Sequence, residues 1–118
     1  MTVVADEVVV VARGRLADES AALALRLALA IPLGGSSVRF FLTEATCLLA
    51  LAGPSQMGSE MERQLDSLIH DEEAPVAVER ESLARLGLSE VELRQGVGVV
   101  SRAEIEEACA GARHCLVI

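Results

Sequence analysis

Hydrophobic residues along this chain fall into short runs rich in β-branched side chains and longer runs with helical spacing. The first run, Glu7 to Ala12, reads EVVVVA, and unbroken valines predict a strand buried on both faces, as at the centre of a parallel sheet. A turn follows, and Asp18 is the predicted N-cap of a helix. Residues 21–31 are almost wholly apolar, with Arg26 the one charge, which predicts a helix buried on more than one side.

The same alternation continues to the end of the chain. Further strands are predicted at 37–42, 75–79, 97–100 and 113–118, with helical segments between them at 43–51, 59–70, 82–86, 89–96 and 101–110. Three Ser-x-x-Glu capping boxes, beginning at Ser59, Ser89 and Ser101, mark predicted helix starts. Because strands and helices alternate, we expect one α/β domain over residues 1–118, with an open parallel sheet and helices on both faces.

The chain is unusually apolar for its length. Hydrophobic residues make up 52% of it and the mean hydropathy is +0.42. No apolar run reaches the roughly 18 residues that a membrane span requires. Asp6 and Glu7 precede the first apolar run, so we expect no signal peptide. A buried interface between subunits is the favoured explanation of the surplus.

Charge and cysteine content narrow the function further. A formal net charge of −8 argues against binding to nucleic-acid phosphates. The three cysteines include no Cys-x-x-Cys pair, and without a secretory signal this odd count predicts reduced thiols in the cytoplasm. We expect no cofactor.

Cys47 is the candidate reactive thiol. It follows a predicted strand by one helical turn, where the helix dipole lowers a thiol pKa, although Glu44 opposes that effect. The alternative is that Cys47 packs as a small apolar residue between helix and sheet. Cys109 and Cys115 are predicted to be core residues.

A candidate ligand site follows the first strand. Gly14, Arg15 and Ser20 lie at the strand-to-helix turn, where α/β folds bind ligands and where a helix start attracts anions. The alternative is a capped turn with no ligand. Neither a Gly-x-Gly-x-x-Gly nor a Walker sequence is present, so nucleotide binding is not predicted.

The third predicted strand ends in Glu79, Arg80 and Glu81, which form either a polar binding site or a solvated charge cluster. An enzyme that used Glu79 as an acid or base would lack a partner histidine or nucleophile nearby in the sequence. His70 begins an acidic stretch that lacks the spacing of metal ligands, so we predict no metal site and interpret the stretch as a helix end.

The order of these segments resembles the DsrE/DsrF-like family, which includes the YchN-like proteins and the subunits of the DsrEFH and TusBCD complexes. The matching segments are Glu19-Ser20 with Leu25-Arg26-Leu27-Ala28, Val38-Arg39-Phe40-Phe41-Leu42, Leu51-Ala52-Gly53, Ala74-Pro75-Val76, Arg85-Leu86-Gly87-Leu88 and Gly96-Val97-Gly98-Val99. The resemblance implies a three-layer α/β/α fold with a five-stranded parallel sheet. It also implies homotrimers or homohexamers and a place in cytoplasmic sulfur relay, with sulfur-carrier proteins as partners.

Active members of the family carry a persulfide on a cysteine at the end of the third strand. Counted from Gly87, that position is Glu79 here, and a second cysteine of the YchN-like members falls on Ser82. A carboxylate cannot hold a sulfane sulfur, so the leading hypothesis is a non-catalytic subunit of sulfur relay, or one that uses Cys47 instead. The alternative is a small-molecule-binding or regulatory module with Gly14, Arg15, Ser20, Glu79 and Ser82 around a pocket at the ends of strands 1 and 3.

Overall fold

Five parallel strands form the centre of the structure, a computed structural model that describes residues 6–14, 19–52 and 59–118. The strands are β1 (Glu7–Ala12), β2 (Ser37–Leu42), β3 (Val76–Glu79), β4 (Val97–Val100) and β5 (His114–Val117). Their order across the sheet is β4-β3-β2-β1-β5. Two predicted features, the N-cap at Asp18 and the ligand residue Arg15, lie outside the described residues.

In the described residues, four α-helices connect these strands. They are α1 (Glu19–Ala30), α2 (Ser59–Asp66), α3 (Arg80–Leu86) and α4 (Arg102–Gly111). Short 3₁₀ helices occupy Ile31–Gly34, Glu44–Ala50 and Glu90–Glu92, and a π-helical turn, Ser67–Asp71, continues α2.

The valine run of β1 lies between two helical layers. Val8 and Val10 face a core that includes α1, α2 and α3, whereas Val9 and Val11 face a smaller core formed with Ile105 of α4. Within the described part of the chain, the helical residues of the smaller core all come from α4. The predicted three-layer fold is therefore confirmed, with unequal outer layers.

Two predicted helices are shorter or tighter than the sequence indicated. The segment predicted at 43–51 forms a 3₁₀ helix over Glu44–Ala50, in which Thr46 Oγ1 donates to the carbonyl of Ala12 at 2.9 Å. The helix predicted for 89–96 ends at Glu92. The following residues instead make an isolated antiparallel bridge, because the Arg94 amide donates to the Ala50 carbonyl and the Ala52 amide to that of Glu92.

The expectation that Cys109 and Cys115 are reduced is wrong for this structure, which joins them in a disulfide with a Cα–Cα distance of 5.2 Å. The short connection from α4 to β5 brings the two residues together, although they are six positions apart and form no recognised motif. Both are half-buried and pack against the smaller core without belonging to its buried centre.

In the described parts of the chain, no helix combines the length and apolar character that a membrane crossing needs.

Among the described glycines, we expect the replacement of Gly96 to lower the stability of the fold most. Its φ is +95°, and a Cβ there would stand 2.5 Å from Cγ2 of Ile69. Gly96→Ala should lower the free energy of unfolding by about 1–3 kcal/mol, because backbone strain and a steric clash act together. Urea unfolding of both chains measures the difference.

Gly34→Ala is the matched control, since a Cβ at Gly34 meets nothing within 4 Å. Its effect should stay within about 0.5 kcal/mol. Equal losses in both variants would contradict the close contact at Gly96.

Candidate functional site

A cavity of about 600 Å³ opens at the carboxyl ends of the strands and continues between α4 and β5. Parallel α/β sheets bind ligands at this edge. The described residues that line it are Val11, Arg13, Thr43, Glu44, Glu79, Arg85, Arg102, Ile105, Glu106, Cys109, Cys115 and Val117. Three guanidinium groups and three carboxylates thus face the same space as the disulfide.

Glu79 is the most buried carboxylate of this cavity, with a relative exposure of 4%. It is the last residue of β3 and the N-cap of α3, and its side chain lies on the α4 face of the sheet. Arg102 Nε donates to Glu79 Oε2 at 3.1 Å, and an Arg85 nitrogen lies 3.5 Å from Oε1. The Ser82 hydroxyl donates to Oε1 at 2.5 Å. A buried charge is tolerated only with such partners.

These partners determine the ionisation of Glu79. Burial alone would raise the pKa of its carboxyl, but the hydrogen bonds from Arg102 and Ser82 and the positive charges of Arg102 and Arg85 outweigh burial and lower the pKa. Glu79 is therefore an anion at neutral pH and is already paired, which makes it a poor general acid or base.

Ser82 connects this carboxylate to the neighbouring strand. It is fully buried, and its Oγ accepts a hydrogen bond from the Glu44 amide at 2.8 Å. Glu44 adopts a φ of +54°, a left-handed conformation that is costly for a residue with a side chain. The end of β2 is thus held against the start of α3 by a strained residue bound to Ser82.

Cys47 lies beneath this network with no exposed surface. Burial raises the pKa of its thiol to about 11, although the Glu79 amide and Ser82 hydroxyl act in the opposite direction. The thiol also donates to the Leu42 carbonyl at 3.3 Å. The expected lowering of the pKa by a helix dipole is therefore wrong. Desolvation of the buried sulfur outweighs the interactions that lower the pKa.

The predicted site residues are only partly brought together. Glu79, Ser82 and Cys47 form one cluster at the end of β3. Gly14 follows β1 and Ser20 lies in the first turn of α1, but neither is among the described residues that line the cavity. The residue that lines the cavity just after β1 is Arg13.

Sequence reasoning did not find Arg102, Arg85 or the cysteine pair as parts of this site. Arg102 follows β4. Because the carboxyl ends of neighbouring parallel strands meet at one edge of the sheet, a charged residue just after a predicted strand was a signal for a site residue. Arg85 lies one helical turn after Ser82, which was a second signal.

A larger cavity, of about 850 Å³, lies on the same face nearer the amino ends of the strands. Its described lining includes the ion pair of Arg39 with Glu7 at 3.2 Å, but neither a cysteine nor a serine. Of the two cavities, the smaller one is therefore the one lined by cysteines. Among the residues that the structure describes, no group of three or more metal-binding side chains is found.

Comparison with solved structures places this geometry in a known fold. The YchN protein from E. coli superposes with a TM-score of 0.79 at 23% sequence identity, and the match covers 98% of this chain and all of YchN. The chain has the fold of the DsrE/DsrF-like family. The protein of unknown function MTH1491 from Methanobacterium thermoautotrophicum is also similar, with a TM-score of 0.63, 18% identity and coverage of 95% of this chain and 97% of that one. No family model and no curated protein sequence matches the chain.

In this DsrE/DsrF-like fold, the charge of Glu79 contributes stability that depends on pH. Because its pKa is lower in the folded chain than in the unfolded one, that contribution is complete above the ordinary glutamate pKa of 4.5 and is lost as the pH falls through the folded-state pKa. Glu79→Gln should therefore lose stability at neutral pH and show a flatter acid dependence than the wild type. Urea unfolding at a series of pH values measures both effects.

Glu60→Gln, at an exposed glutamate of α2, is the control and should keep the wild-type pH dependence. Parallel curves for the wild type and Glu79→Gln would contradict the ionised state of Glu79.

Cys47 should resist alkylation while the chain is folded. Its sulfur is buried and its pKa is raised, so we expect iodoacetamide to react at least about 100-fold more slowly than in the unfolded chain. Mass spectrometry of timed samples, with and without urea, measures the two rates. Rapid labelling of Cys47 in the folded chain would restore it as a candidate nucleophile.

Proposed function

We propose that this chain is an oligomeric DsrE/DsrF-like protein of cytoplasmic sulfur relay that binds partners or a polar ligand at the strand ends and carries no sulfane sulfur on β3. Its partners would be further copies of itself and sulfur-carrier proteins. The fold shared with YchN supports the family context. The assignment of position 79 to the family's persulfide cysteine comes from the sequence resemblance.

The observation that carries the proposal is the bonding of Glu79. Its carboxylate is buried and engaged by Ser82, Arg85 and Arg102. A side chain held in this way forms part of the wall of the cavity and is not available to a substrate. Active relatives carry a persulfide cysteine at this position. In this chain the residue there instead stabilises the strand ends and shapes the wall of the cavity.

The second predicted thiol supports the same proposal. Cys47 is the one cysteine outside the disulfide, and it is buried with a raised pKa. A thiolate is the species that attacks a sulfane sulfur, and Cys47 forms little of it at neutral pH. The geometry favours the non-transferring subunit over a relay through Cys47.

Exposed apolar side chains support self-association. Leu23 on α1 is 44% exposed, Val91 is 89% exposed and Leu116 on β5 is 38% exposed. The predicted contact of α1 with a second subunit remains a proposal, and Leu23 is the α1 residue best placed to make it.

A small-molecule-binding module is the second candidate function. The observation that favours it is the cavity itself, in which Arg13, Arg85 and Arg102 converge at the strand ends. In this version the cavity binds a small polar molecule and the chain takes no part in sulfur transfer.

The test treats a Cys109→Ser/Cys115→Ser background, whose one thiol is Cys47, with glutathione persulfide and records the intact mass. This background removes the disulfide, which a persulfide nucleophile can itself open. We expect it to gain no sulfur because its thiol is buried. Glu79→Cys in the same background should gain the mass of one sulfur atom, which a reductant removes, because the variant restores a thiol at the end of β3. Sulfur on Cys47 of the background chain would contradict the proposal.

Glu81→Cys in the same background is the positive control, since this position is exposed and its thiol should gain sulfur whatever the cavity binds. If Glu81→Cys gains sulfur and Glu79→Cys does not, the cavity does not admit persulfides and the sulfur-relay assignment loses its support. Light scattering of the wild type should give a trimer or hexamer, and a monomer in dilute solution would favour the binding module.

A further inference from the structure

We propose that Cys109 and Cys115 form a thiol–disulfide exchange site that reacts with small thiols entering the cavity at the strand ends. The proposal does not rest on a role in sulfur relay. It assigns disulfide exchange to the two cysteines, a reaction that Glu79 at the end of β3 cannot carry out.

The first argument is the placement of the pair. Cys109 lies near the end of α4 and Cys115 is the second residue of β5, and the structure joins them. Both are half-buried, and both line the cavity that opens at the strand ends. Exchange requires that a thiolate reach a bridging sulfur, and a cavity of about 600 Å³ admits a small thiol.

The second argument is the short chain segment that the bridge closes. The two cysteines are six positions apart. A disulfide restrains the unfolded chain less as the loop that it closes becomes shorter, so this bridge stabilises the fold less than a bridge across a long loop would. It also joins a helix to the strand that directly follows it, and these two elements already pack through Ile105 and the smaller core. Stabilisation of the fold is therefore a poor explanation for the pair.

The third argument is the charge around the cavity. Arg13 and Arg102 line it together with the disulfide, and the Arg102 side chain is 53% exposed. The attacking species in exchange is an anion, which these guanidinium groups attract. Glu44, Glu79 and Glu106 also line the cavity, and Glu79 is already paired with Arg102. The charge of the cavity is therefore balanced and favours a zwitterionic thiol over a purely anionic one.

The reaction balances with a small thiol as reductant. A thiolate attacks one bridging sulfur, the bond between the two cysteines breaks, and a mixed disulfide and a cysteine thiolate form. A second thiolate attacks the outer sulfur of the mixed disulfide, releases the small-molecule disulfide and leaves two protein thiols. Two electrons pass from the two small thiols to the protein, and the reverse sequence closes the bridge again.

The test equilibrates the folded full chain with graded ratios of reduced to oxidised glutathione, followed by acid quenching, maleimide labelling and peptide mapping. We expect Cys47 to be labelled at every ratio, and a reversible change from no label to two labels at Cys109 and Cys115. Reduction of the folded chain should proceed at a rate within about tenfold of that of the urea-unfolded chain, since the bridge is accessible. Reduction that occurs only when the chain unfolds would overturn the proposal, as would full labelling of Cys109 and Cys115 at every ratio.

Single variants test the intermediate. Cys109→Ser and Cys115→Ser each leave one partner, and at least one variant should trap glutathione as a mixed disulfide when treated with oxidised glutathione. If neither variant traps it, the sulfurs are out of reach and the proposal fails.

A matched pair of tryptophan variants tests the route through the cavity. Val117 lines the cavity, whereas Leu33 is 84% exposed and is not among the described lining residues. Val117→Trp should slow glutathione exchange by about tenfold by narrowing access, and Leu33→Trp should leave it unchanged. Equal rates in both variants would show that thiols reach the pair by another path, which contradicts the assignment to this cavity.

Discussion

The buried carboxylate of Glu79 is the constraint on which the arrangement of the strand ends depends. A charge that is almost completely removed from water needs partners, and it obtains them from three directions. Arg102 approaches from the segment after β4, Arg85 from the next turn of α3, and Ser82 from the start of α3. Ser82 in turn binds the amide of Glu44 and holds that residue in a left-handed conformation. One side chain thus links the ends of β2, β3 and β4.

The fold could be predicted from the sequence because its signals are local. Each of the five strands is a short apolar run, and the capping boxes at Ser89 and Ser101 both form as predicted. The errors arose where contacts distant in sequence decide the outcome. The segment 89–96 has a helix start, but the bridge between Leu51 and Leu93 ends the helix after one turn. No local pattern reveals a partner that lies more than forty residues away.

The site was less predictable than the fold, and for related reasons. Position 79 could be singled out because it ends a strand and matches a family position. The state of Cys47 could not, since its pKa depends on burial by neighbours from other segments and only weakly on its own helix. Cys109 and Cys115 were expected to fill the core, and they do so in part. Their pairing follows from the connection between α4 and β5, which composition does not reveal.

The position of β1 has a consequence for how the chain folds during synthesis. One edge of β1 pairs with β2, which follows soon after, but the other edge pairs with β5, from Val8 with His114 to Val11 with Val117. During synthesis the valine strand therefore keeps one edge unpaired until β5 has emerged from the ribosome. Open apolar edges invite pairing with other nascent chains, so chaperone demand should be greatest just before β5 appears.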